Sequence, residues 1–165
     1  MSERKHVAYK VVRVSKDDGG RERKTSLMAV RPEMVVEYAV GERAYARVYG
    51  DVKSLLMVFK SKNEAHFFAR RCSIQNSLVR AEVWKVNCGP ELVKIYRVLG
   101  MSSVDKFSLG RPKPMRALVK MWGGIAKGLS MMNSRVIAGH KTIVAPVGTM
   151  GAQWVELVEK VTEAE

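Results

Sequence analysis

Arg43, Tyr45, Arg47 and Tyr49 alternate with Ala44, Ala46 and Val48. In an extended strand successive side chains point to opposite faces, so the polar set shares one face and the small apolar set faces a core. Interleaved guanidinium groups and aromatic rings suit single-stranded nucleic acid: rings stack on bases, and guanidinium groups meet phosphates. The same alternation also fits a solvated strand whose side chains pack cross-strand. A second basic set, Arg111, Lys113, Arg116 and Lys120, lies in a stretch from 101 to 154 that holds a single acid, Asp105.

The charge balance points the same way. There are 29 Lys and Arg against 16 Asp and Glu, a formal +13. Residues 101–154 carry 8 basic and 1 acidic side chain, a net of +7, and residues 155–165 carry 1 and 4, a net of −3. A basic excess of this size favours a polyanionic partner: nucleic acid, an acidic protein surface or anionic lipid. It bears on association, not on fold.

Other chemistry is thinly represented. No phosphate-binding loop, dinucleotide fingerprint, nucleophile elbow or metalloprotease helix occurs. His6, His66 and His140 are scattered, and Cys72 and Cys88 alone do not make a zinc site or a disulfide scaffold. No metal and no cofactor is expected. His66 reads as a surface histidine and Cys72 as a buried, inert thiol. Met1-Ser2-Glu3-Arg4-Lys5-His6 lacks the apolar run of a secretory signal, and no stretch approaches the ~18 apolar residues of a membrane span. The expected setting is reducing and cytoplasmic, or a virion if the protein is viral.

The elements that must position these residues centre on 55–86. Leu55 to Phe59 is an unbroken apolar run, short enough for a strand buried on both faces. Ser61 precedes Glu64 by the spacing of a capping box. The helix it opens, about 62–72, sets Ala65, Phe68, Ala69 and Cys72 on one face, with Lys62, Asn63, His66, Arg70 and Arg71 opposite. Val79, Ala81 and Val83 alternate with Arg80 and Glu82 as in a half-buried strand. Before this unit, Val7–Val14 and Thr25–Val30 read as a hairpin turning at Asp17-Asp18-Gly19-Gly20, with positive φ at both central residues. Met34–Val40 reads as a strand with Val36, Tyr38 and Val40 on one side, and Arg43–Tyr49 as another.

After this unit, Pro90 to Gly100 has helical spacing in Leu92, Ile95, Tyr96 and Leu99, and a strand is the alternative. Met115, Leu118, Trp122, Ile125, Leu129 and Met132 recur at spacings of 3 and 4, as on an amphipathic basic helix. Thr142–Val147 and Trp154–Val161 read as strands.

Two resemblances add to this. Tyr9-Lys10-Val11-Val12, the Leu55–Phe59 strand with Ser61, Ala65 and Phe68-Ala69, Ala81-Glu82-Val83-Trp84, and Pro146-Val147-Gly148-Thr149 look like pieces of a loose group of small bacteriophage and environmental proteins. That implies a viral origin and no particular activity. Arg13, Ser61 and Glu156 stand in the order of the Arg, Ser and Glu of ADP-ribosyltransferases. The resemblance implies a nicotinamide dinucleotide held by Arg13, with Ser61 bracing the site and Glu156 stabilising the developing cation. The chain departs from that family's pattern at Lys60-Ser61-Lys62 and at Glu156-Leu157-Val158.

The fold expected is α+β: a mainly antiparallel twisted sheet with one capped helix (about 62–72) on a face and a basic Met/Gly-rich C-terminal segment. Residues 1–100 read as the core and 101–165 as a basic extension that ends in a strand and packs on the same domain. The expected role is non-catalytic: a basic module for nucleic acid or an acidic protein surface, in a phage or viral accessory protein able to form homo-oligomers. A virion or assembly subunit, and a transferase-like enzyme, are the alternatives.

Overall fold

Val7, Val11, Val12 and Val14 favour an extended backbone, and His6–Lys16 forms the longest strand among the described residues. A computed structural model describes residues 3–27, 35–46, 48–49, 52–53, 55–75, 80–95, 97–99, 136–137 and 140–163. The elements in order are β1 (His6–Lys16), β2 (Glu22–Ser26), β3 (Glu37–Tyr38), β4 (Arg43–Tyr45), β5 (Val48–Tyr49), β6 (Val52–Lys53), β7 (Leu56–Phe59), α1 (Lys62–Gln75), β8 (Arg80–Gly89), β9 (Val93–Lys94), β10 (Arg97–Leu99), β11 (Val136–Ile137), β12 (His140–Val144), β13 (Thr149–Ala152) and β14 (Trp154–Val161). Among the described residues the architecture is a mostly antiparallel sheet with one helix. Its main path runs β4-β14-β8-β1-β7-β13-β9, with β2 on β1 and β3 on β2. β10-β12-β11 and β5-β6 form separate small sheets.

The sheet rolls up on itself, for two reasons that lie in the register. First, β13 and β14 are a single stretch of chain broken only at Gln153. Its first half pairs with β7 and its second with β8, while β1 lies between those two strands. Second, Val40 bridges Leu157 just after β3, and the Gly41 N–H donates to the Leu157 carbonyl at 2.9 Å. The inner face gathers Val12, Tyr38, Val58, Trp84, Val86 and Leu157. The outer face carries Val11, Phe59 and Val83, and α1 covers this part with Ala65, Phe68 and Ala69, all buried. The Phe59 and Phe68 rings meet at 5.2 Å. Burying each such ring contributes about 2 kcal/mol.

Helix α1 begins where its capping box predicts. The Glu64 N–H donates to Ser61 Oγ at 3.3 Å, and Glu64 Oε2 accepts from the Ser61 N–H at 3.2 Å. All four residues of β7 are buried, as expected of a strand covered on both faces. Trp154–Val161 is a strand, also as expected.

Several expectations are corrected. The first hairpin closes through a Gly20 N–H bond to the Asp17 carbonyl at 2.9 Å, and of its two glycines only Gly20 has positive φ. Asp17 Oδ1 accepts from the Gly19 and Arg21 N–H groups, so the aspartate itself shapes the turn. Val40 does not join Val36 and Tyr38 inside; it is exposed, because the chain leaves β3 to reach β14. Arg43–Tyr49 is not one strand. β4 stops at Tyr45, and Val48–Tyr49 pairs instead with Val52–Lys53. Val93–Lys94 pairs with Met150 and Gly151, and Ile95 is buried, so the strand alternative replaces a helix after Pro90. His66 and Glu82 are buried, against expectation. Cys72 is only half-buried. The 115–132 stripe lies outside the described residues.

Candidate functional site

Strand pairing determines what the outer face offers beyond the helix. Directly paired residues share a face. Glu156 pairs with Arg43 on one side and with Asn87 on the other, and Asn87 pairs with Val7. Trp154 pairs likewise with Tyr45 and Gly89. Lys85 pairs with Tyr9 and with Glu159. These three rungs lie towards the β4 edge. Val7 and Tyr45 are each 58% exposed there, whereas Val11 and Val83 under α1 are buried.

Within this area Arg43 and Trp154 form one unit. The Arg43 guanidinium lies over the Trp154 ring, 3.9 Å from its centroid. The indole is buried because Gly89, its cross-strand partner, has no side chain to compete for the space. Glu3, from the residues preceding β1, meets both groups. Its Oε2 accepts from Arg43 Nη1 at 2.5 Å and its Oε1 from Trp154 Nε1 at 3.0 Å. The Arg43 hydrogen bond holds the Glu3 carboxyl below the usual carboxylate range, and the Trp154 N–H and Lys5 add to it. Glu3 and the Tyr45 phenol raise Arg43 in turn.

Arg43 and Tyr45 therefore share the outer face, as the alternation predicts. Tyr49 lies in β5, outside the main sheet. Arg47, Arg111, Lys113, Arg116 and Lys120 lie outside the described residues. The three positions that resemble ADP-ribosyltransferases are not brought together. Arg13 sits opposite Ala81 and Glu156 opposite Asn87, six residues further along β8. At ~3.3 Å per residue that is about 20 Å. Ser61 is engaged as the helix cap.

Two other clusters went unread in the sequence. Glu82, at the open end of the roll, accepts from Trp84 Nε1 at 3.1 Å, Lys160 Nζ at 2.9 Å and Arg80 Nη2 at 3.0 Å. Burial pushes its carboxyl up, but these partners outweigh it and hold the group below the usual range. Beside it a groove of about 650 Å³ runs between α1 and the ends of β8 and β14, with His66 and Arg70 on one wall. His66 is buried, which lowers its pKa against the pull of Glu163 at 3.8 Å. Lys10 is the second cluster. It is buried inside the roll, donating to the Met57 carbonyl at 2.6 Å, with Nζ 5.4 Å from the Tyr38 ring centroid. The signal for both was parity: Lys10 falls in step with Ala8, Val12 and Val14, and Glu82 with Trp84, Val86 and Cys88.

Among the described residues no helix is long and apolar enough to cross a membrane. No known protein family, curated protein or solved structure matches this chain.

Proposed function

We propose that the protein is a non-catalytic module that binds single-stranded nucleic acid, or a comparable polyanion, on the outer face beside β4. One observation carries this reading. Arg43 and Tyr45 present a guanidinium and an exposed phenol on the same side of β4, the end strand of the main path among the described residues, in a part of the face that α1 leaves open. The net charge of +13 supplies long-range attraction for the ligand. A base stacks on Tyr45 while a phosphate meets Arg43. The basic set Arg111, Lys113, Arg116 and Lys120 extends the contact in this reading.

The test is a fluorescence-anisotropy titration of short single-stranded and duplex oligonucleotides at low and physiological salt. Wild type is compared with Tyr45→Ala and with the Arg43→Ala/Arg47→Ala pair. Affinity should fall steeply with salt, because each neutralised phosphate releases counterions. Stacking on one base is worth about 1–3 kcal/mol, so Tyr45→Ala should weaken binding by about 5- to 150-fold. Binding that both variants leave intact would move the site to residues 111–120. No binding at low salt would overturn the reading.

A further inference from the structure

We infer that Arg43 and Trp154 form an anion seat for a phosphodiester oxygen, and that Glu3 occupies this seat as an internal stand-in until ligand displaces it. The inference rests on the proposed function above and adds the contact atoms and a built-in competitor.

The geometry is that of a receptor with its acid already in place. Two N–H donors on different strands, a guanidinium on β4 and an indole on β14, converge on the two oxygens of one carboxylate. The indole N–H has no charge and would ordinarily be satisfied by water or a carbonyl. Here it is turned towards the same anion as Arg43, and the ring beneath the guanidinium keeps the plane of Arg43 in position. A phosphate presents the same chemistry as a carboxylate, oxygens that accept two N–H bonds side by side. Tyr45, the cross-strand neighbour of Trp154, then lies where the base of that nucleotide stacks.

Glu3 is suited to leave. It belongs to an irregular stretch before β1, and its side chain is 42% exposed. Exposed ion pairs contribute little to stability, so exchange of one anion for another on Arg43 is cheap. The path of the chain sets the position of Glu3: the Arg4 carbonyl passes so close to Gly89 that a Cβ there would lie 2.6 Å from it. The acid therefore stands beside the seat at high effective concentration, and a ligand must compete with it.

Glu3→Gln separates charge from contact. The Gln carbonyl oxygen can still accept from Trp154 Nε1–H, so the segment stays seated while the negative charge is removed. Oligonucleotide affinity should rise about two- to five-fold, the range an exposed ion pair is worth. In ¹H–¹⁵N spectra the Trp154 indole peak, assigned with Trp154→Phe, should move when a thymidine oligonucleotide is added to wild type. If wild type binds but Glu3→Gln binds no tighter and the indole peak does not move, the seat is wrong and the proposed function stands. If neither wild type nor variant binds at low salt, the proposed function falls and takes the seat with it.

Discussion

Lys10 Nζ donates to the Met57 carbonyl oxygen at 2.6 Å on the inside of the rolled sheet. Burial there lowers the Lys10 pKa to about 7. The carbonyl can be met by the neutral amine as well as by the cation, so the bond does not require the charge. The unfolded chain releases this proton only near ~10.4. Between about 7 and 10 the unfolded state therefore binds more protons, and stability rises with pH by up to ~1.4 kcal/mol per unit. Tyr38 and Cys88 act in the opposite sense at the upper end, because burial raises both, Cys88 to about 11. The readout is thus a difference: urea unfolding of Lys10→Met and wild type from pH 7 to 10. Lys10→Met should lack the rising component, and parallel pH profiles would refute the assignment.

Glu82 is a buried carboxylate with three donors. Its contribution is present above its unfolded pKa of ~4.3 and is lost as pH falls through the depressed folded value. Glu82→Ala leaves the buried Trp84 indole N–H without its acceptor. That should cost about 2 kcal/mol near neutral pH and flatten the acid limb of the stability profile. Chemical denaturation at pH 7 and pH 3 measures both. An unchanged acid limb would mean that other carboxylates govern it.

Gly148 and Glu64 occupy neighbouring space. A Cβ on Gly148 would overlap the Glu64 carboxylate, the group that caps α1, and Gly148 has φ near +80°. Gly148→Ala should therefore combine the left-handed penalty of about 1–2 kcal/mol with loss of part of the cap. Ser61→Ala should cost about 1 kcal/mol by itself. If the effects share the cap, the double variant loses less than the two single losses combined. Simple additivity in thermal denaturation would show that the two positions act independently.

The parts of the fold legible in the sequence are those whose signal is local. The capping box at Ser61 and Glu64, the buried run of β7 and the alternation of β1 each depend on neighbours in the chain. The rolling of the sheet depends on which strand pairs with which, and no local pattern specifies that Val40 meets Leu157. Tyr45 was legible because alternation places it on the outer face. The engagement of Arg43 was not, because its partners Glu3 and Trp154 lie 40 residues before it and 111 after it. The burial of Lys10 and Glu82 was not legible, for a different reason. Their parity with apolar neighbours marks them as inward-facing, but charged side chains are so rarely fully buried that type outweighed position.

Gly89 is the remaining handle on the outer face. A methyl group there would lie 2.6 Å from the Arg4 carbonyl and 3.1 Å from Trp154 Cζ2. Relief on the first side displaces the residues preceding β1, and relief on the second tilts the indole beneath Arg43. Overpacking of this kind costs about 1–3 kcal/mol. Gly89→Ala should thus lower stability and also uncouple Glu3 from the Arg43–Trp154 pair. The Trp154 indole peak should then be insensitive to Glu3→Gln in the Gly89→Ala background while responding to it in wild type. An equal response in both backgrounds would mean that Glu3 reaches the pair without the close passage over Gly89.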